Sequence, residues 1–154
     1  MGKEIEHKYL VADDSFKSMA IEQHHISQGY LSREKERTVR VRIIDNEARL
    51  TIKGKNNGDT RSEYEYPIPV HDAEEMLQDL CVRPVIIKTR YVIDYSGNKW
   101  EVDEFGGKLQ GLVLAEIEIP YSEYNYDIPP FIGKNVTMDS RYYNSNLKDT
   151  VPEE

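Results

Sequence analysis

The sequence has little cysteine: Cys81 stands alone in 154 residues. One thiol cannot close a disulfide within the chain, so the fold must be held by packing, and the expected compartment is the reducing cytoplasm. Cys81 follows Leu77 and Leu80 in a helical-looking stretch, which reads as a buried structural thiol rather than a nucleophile. Long apolar runs are missing too, so no membrane span is expected. The first residues lack the apolar core of a signal peptide, and Glu6 stands where a myristoylation site after Gly2 has Ser or Thr. Positive charge is in deficit, with 20 Lys and Arg against 28 Asp and Glu for a net charge of −8. That balance argues against binding nucleic acid backbones, which takes a basic footprint. It does not exclude a local basic pocket for one anion.

What the chain does have is charge, 31% of residues against 38% hydrophobic. The length suits one domain with a sizeable core, taken as 1–148, with 149–154 as a frayed tail. Period-two patterning dominates. It predicts strands at 4–11, 25–32, 37–44, 47–54, 61–68, 87–95, 99–105 and 112–120. Turn signals at 45–46, 55–59, 96–98 and 106–111 make neighbours antiparallel hairpins. Helices are few. Residues 15–23 predict a short one, and 71–81 a second with Asp72 as N-cap and Glu75 three residues on. A third is expected to begin near Asp139. Pro129 and Pro130 exclude a regular helix or a central strand over 126–133.

Counting strand faces sharpens this picture. Glu4, Glu6 and Lys8 share a face of the first strand. Arg40 and Arg42 share one, as do Thr51 and Lys53, Glu63 and Glu65, Lys88 and Arg90, Glu101 and Asp103, and Glu116 and Glu118. The opposite faces are largely apolar. One such strand is most simply the wet side of a sheet. Seven of the eight, with blocks of one sign, fit a closed barrel whose charged faces point inward. Arg forks and Lys point charges suit a polyanion. Paired carboxylates would repel a phosphate unless a hard divalent cation such as Mg²⁺ or Mn²⁺ lay between them. His7 falls on the apolar face and reads as a packed histidine. His24, His25 and His71 have no metal-ligand spacing.

The N-terminal "EIEHK" resembles the Glu-x-Glu-x-Lys signature of the CYTH family, the triphosphate tunnel metalloenzymes. "GYL", "VRVRI", "LTIKG", "EYEYPI", "KTRY", "WEVDEF", "GLVLAEIEI" and "VTMDSRYYNSNL" resemble the family's later motifs in order. The resemblance covers most of the chain. It implies a mainly β (α+β) fold, a closed eight-stranded antiparallel β-barrel tunnel with a charged lumen and a few flanking helices. It also implies hydrolysis or cyclisation of a triphosphate with Mg²⁺ or Mn²⁺. Carried over by motif, Glu4, Glu6, Glu116 and Glu118 would ligate metal. Lys8, Arg40, Arg42, Lys53, Lys88 and Arg90 would hold phosphate oxygens, and Arg141 would cap a tunnel end. Lys8 and Tyr30 are the candidate catalytic groups. Glu63, Glu65, Glu101 and Asp103 would anchor the cations or bind a second metal. The first expectation is an inorganic triphosphatase taking tripolyphosphate. The alternatives are a class IV type adenylyl cyclase acting on ATP, a thiamine triphosphatase, and a non-catalytic polyphosphate- or nucleotide-binding module. A monomer or homodimer is expected.

Overall fold

The computed structural model describes residues 2–147. The expected tail at 149–154 lies outside the described residues. Nine strands form: β1 (Lys3–Val11), β2 (Glu22–Glu34), β3 (Arg37–Ile44), β4 (Glu47–Lys53), β5 (Thr60–Ile68), β6 (Val82–Tyr95), β7 (Asn98–Phe105), β8 (Val113–Glu118) and β9 (Ile132–Asn135). All pairings are antiparallel, in the order β5-β4-β3-β2-β6-β7-β8-β1-β9. β1 also pairs with β5 through Lys3–Ser62, Glu4–Arg61 and Ile5–Thr60, which closes the first eight strands into a barrel. The expected eight-stranded closed barrel is therefore what the chain builds.

The departures are local. The helix expected over 15–23 is one turn, α1 (Phe16–Met19), because Glu22 and Gln23 already pair with Val92 and Tyr91 of β6. α2 (Val70–Asp79) begins with Pro69 as N-cap, and Asp72 falls in its first turn, where a carboxylate favours the helix dipole. The segment after Asp139 forms two short 3₁₀ turns rather than an α-helix, with the Asp139 side chain capping the first. β9 follows the double proline and pairs only with the end of β1. No helix among the described residues is long and apolar enough to cross a membrane.

Around the cavity the barrel inverts the usual arrangement: the lumen there is polar, and two of the three apolar clusters lie outside, between the wall and what covers it. Trp100, Tyr9, Ile117 and Val102 pack under Phe16 and Phe131. The third cluster lies inside one end of the barrel: Leu114, Phe105, Ile86 and Tyr30, on the inward faces of their strands, pack against Tyr142 and Leu147 of the C-terminal segment. Ala73 and Leu77 of α2 cover Val41 and Ala48, with the buried Cys81 beside them. At Gly29 an added Cβ would stand 2.9 Å from the Cys81 Cβ, so the absence of a side chain there lets the α2 end reach β2. Tyr64 and Tyr66 are about half exposed on β5. His7 is packed outside the lumen as expected, with Nδ1 2.6 Å from the Tyr126 hydroxyl and Nε2 2.9 Å from Asp59 Oδ2.

Candidate active site

Strand alternation turns residues i and i+2 inward, so the like-charge pairs of the sequence line one cavity of about 210 Å³. Its walls carry Glu4, Glu6 and Lys8 from β1, Tyr30 from β2, Arg40 and Arg42 from β3, and Lys53 from β4. Glu63 and Glu65 come from β5, Lys88 and Arg90 from β6, Glu101 from β7, and Glu116 and Glu118 from β8. The ladder sets Glu6 opposite Glu118, and Lys8 opposite Glu116.

The cations are held in place by carboxylates. Arg90 makes a two-pronged contact to Asp103 at 2.8 and 2.9 Å, and Lys88 meets the same carboxylate at 2.7 Å. Lys53 lies 3.1 Å from Glu4 and 3.4 Å from Glu63, and Arg40 3.5 Å from Glu65. Arg42 instead donates from Nε to Gln28 Oε1 at 2.8 Å. Asp103 is 1% exposed and does not line the cavity, so of its two expected roles the geometry gives it cation anchoring. Arg141 does not line the cavity either: it is half-exposed and grips Asp139 two residues away, which corrects its expected place at a tunnel end.

Burial works to raise the carboxyls of Glu4, Glu6, Asp103, Glu116 and Glu118, and the neighbours decide the outcome. Asp103 is buried, yet Arg90 and Lys88 bring it down to about 2. Burial, reinforced by Glu116 and Glu4, pushes the Glu6 carboxyl well above the usual range, and it hydrogen-bonds Glu116. Glu116, with Lys8, Glu6 and Arg90 around it, lies well below that range despite its burial. Glu118 is raised by burial and by Glu4 and Glu101. Burial, with Arg40 and Arg90 close by, lowers Arg42 to about 9. Burial also draws Lys88 down to about 7 against the pull of Asp103. The 2.7 Å contact and a 2.9 Å bond to Asn144 Oδ1 mark the ammonium as the form held. Lys8 shifts the other way. Burial lowers it, but Glu116 and Glu6 prevail and the net shift is upward.

Two features look for a ligand. Among the described residues no three groups already stand as a metal-ligand set. The donor chemistry nevertheless fits a hard divalent cation: Glu4, Glu6, Glu116 and Glu118 are oxygen donors on adjoining strands, and repulsion from Glu116 and Glu4 adds to burial in raising Glu6. The second feature is Arg40 Nε, a buried donor with no protein partner, which fits an anion in the cavity.

Several lining residues carry no like-charge repeat and escape a sequence reading. Arg61 shares the inward face of Glu63 and Glu65, a signal that was there in "RSEYE". Thr137, Tyr143, Asn144 and Ser145 come from an irregular segment with no periodicity. That segment binds the lumen directly: Lys8 Nζ donates to the Tyr142 carbonyl at 3.2 Å, and Gln28 Nε2 to Asn144 Oδ1 at 3.1 Å.

Comparison with known proteins agrees with this architecture. Residues 2–151 match the CYTH domain. An inorganic triphosphatase of Acetivibrio thermocellus is 49% identical over 147 residues, covering 96% of this chain and 94% of that protein. One from Nitrosomonas europaea is 34% identical over 153 residues, covering 97% and 99%. A crystal structure of an inorganic triphosphatase superposes with a TM-score of 0.67 at 32% identity, covering 97% of this chain and 100% of that one. With its matching motifs, closed barrel and charged lumen, the chain belongs to the CYTH domain family.

Proposed function

We propose that this chain is a metal-dependent triphosphatase that hydrolyses inorganic tripolyphosphate to pyrophosphate and phosphate inside the barrel. The observation that carries the reading is one cavity holding both a basic clamp, with the Arg40 Nε donor unpartnered, and a separate set of four carboxylates. Anion binding alone would not need those carboxylates. Triphosphatases of this family are metal-dependent. Glu4, Glu6, Glu116 and Glu118 would hold Mg²⁺ or Mn²⁺, which supplies electrophilic stabilisation of phosphate charge when bound. Arg40, Arg42, Lys53, Lys88 and Arg90 bind phosphate oxygens, while Glu63, Glu65 and Glu101 hold those cations in position. Water attacks the terminal phosphorus, the bridging P–O bond breaks, and pyrophosphate leaves with the electron pair. Lys8 and Tyr30 line the cavity as the groups that orient that water. The free, buried Cys81 supports residence in the reducing cytoplasm, as a monomer or homodimer.

A substrate panel with Mg²⁺ and Mn²⁺ tests this, scoring phosphate, pyrophosphate and cyclic nucleotide separately. Tripolyphosphate should be the best substrate. Preferential formation of cyclic AMP from ATP, preference for thiamine triphosphate, or binding without turnover would each replace the proposal.

Arg40→Ala and Arg90→Ala are expected to raise KM and lower kcat/KM for tripolyphosphate, since each removes charged contacts worth roughly 1.5–3 kcal/mol. Lysine at either place should restore only part, because the fork geometry is lost. Wild-type kinetics in both alanine variants would mean that neither arginine touches substrate.

Lys8→Arg separates two roles. The resting ammonium is held charged by Glu116 and Glu6, as a clamp requires. Arginine keeps that charge but cannot accept a proton near neutral pH. A bound divalent cation would neutralise those carboxylates and let the Lys8 ammonium give up its proton, so we expect Lys8→Arg to bind tripolyphosphate almost normally and to lose most of kcat along with the alkaline limb of its pH–rate profile. Retention of both would make Lys8 a clamp alone and leave Tyr30 as the remaining candidate.

A further inference from the structure

We propose that Arg61 is a further phosphate-binding residue of the tunnel, taking oxygens of a linear phosphate chain. The inference rests on the triphosphatase reading, although no motif of that reading includes Arg61.

Its surroundings set it apart from most cations of the lumen, Arg42, which donates to the neutral Gln28, being the other of its kind. Arg40, Lys53, Lys88 and Arg90 each face a carboxylate within 3.5 Å. Among the described residues Arg61 meets none at ion-pair distance. Its pairing partner across the barrel seam is Glu4, but the Glu4 carboxylate is taken by Lys53 at 3.1 and 3.4 Å. Lys8 also lacks such a contact, yet it feels Glu116 and Glu6 close by. Arg61 therefore brings a positive charge to the cavity wall with only neutral groups against it.

Those neutral groups aim it. Nε donates to the Gly54 carbonyl at 3.1 Å and Nη2 to Thr38 Oγ1 at 3.4 Å. Thr38 is itself fixed, because its hydroxyl proton goes to the Glu34 carbonyl at 3.1 Å, leaving the oxygen free to accept. A guanidinium has five N–H donors in a rigid fork. Two of them are used on the wall, which orients the rest without neutralising the charge. A half-buried, pre-aimed and uncompensated guanidinium is what recognition of a phosphate oxygen calls for.

The alternative is that Arg61 only ties the β4–β5 loop down through Gly54. The variants Arg61→Ala, Arg61→Gln and Arg61→Lys separate the two. Glutamine keeps an amide donor for the loop without the charge, and lysine keeps the charge without the fork. Each is titrated calorimetrically with tripolyphosphate in chelator, so that binding is read without turnover. KM, kcat and melting temperature follow with Mg²⁺. We expect alanine and glutamine to weaken binding and raise KM about tenfold or more, with kcat little changed, and lysine to recover part of the loss. Glutamine binding as tightly as wild type, or lysine no better than glutamine, overturns the proposal. Wild-type protein that binds tripolyphosphate but does not hydrolyse it overturns the triphosphatase reading instead, and the three variants still decide Arg61. Wild-type protein that does neither overturns both.

Discussion

Tripolyphosphate turnover is expected to stop in excess chelator and return with Mg²⁺ or Mn²⁺, and Glu6→Gln is expected to cut kcat by orders of magnitude while the fold survives. The reasoning begins with the Glu6 carboxyl. Burial and the neighbouring Glu116 and Glu4 favour its protonated form in the metal-free protein. Glutamine imitates that neutral form in shape and charge, so the metal-free barrel should melt at the wild-type temperature or slightly above. A divalent cation needs the anion, because ligand carboxylates bind metal deprotonated. The variant should therefore require much more metal for half-maximal activity, and Glu118→Gln should behave alike. Kinetics across a metal titration, paired with thermal melts, checks both halves. Undiminished activity in chelator, or an unshifted metal curve in Glu6→Gln, would remove these carboxylates from the metal site.

Asp103→Ala is expected to be the most destabilising single change in the lumen, by about 3–5 kcal/mol, because it leaves the buried Lys88 without its carboxylate and Arg90 with only the longer contacts to Glu101 and Glu116. Lys88 and Arg90 both lean on this one carboxylate, and Lys88 is 1% exposed. Substrate affinity should fall with stability, since both cations lose their aim. The pH dependence has a definite sign. The folded pKa of about 2 lies below the ordinary 3.8, so the contribution is present above about pH 4. It is lost as pH falls through 2. Urea melts of wild type and variant from pH 7 down to 2 check this: the gap should be widest at neutral pH and should close in acid. A gap that stays constant, or a loss under about 1 kcal/mol at pH 7, would mean that the cations find other partners.

The fold was readable because the same alternation serves two purposes. Residues such as Arg40 and Arg42, or Glu116 and Glu118, mark a strand by their spacing and a lumen by their charge. Strand ends were less readable. β6 starts at Val82 rather than 87 because a proline early in a strand, Pro84, does not stop the pairing of Val82 with Tyr30. β9 was unreadable, since Pro129 and Pro130 hide a short strand that has one neighbour only. In the site, like-charge pairs singled out Glu63 and Glu65 and passed over Arg61 on the same face. Asn144 had no local signal at all: its value comes from reaching Lys88 and Gln28, far away in sequence. Arg141 misled for the converse reason, because a cation in a matching motif can be satisfied by Asp139 two residues away.

The position of β1 has a consequence for how the molecule is made. Its partners are β5 and β8, with β9 at its end, and not β2, so β1 lies far along the chain from every strand that it pairs with. Glu6 meets Glu118 across 112 residues of chain (118 − 6), and the seam with β5 has only three residue pairs. Until β8 emerges, β2 to β7 can form hairpins, while β1 has only its three-pair seam with β5 to hold it. Loop closure over such a span is slow. Barrel closure and assembly of the acidic cluster are then the same late event in biosynthesis, and a nascent or truncated chain lacking β8 would carry the basic strands without the carboxylates that complete the site.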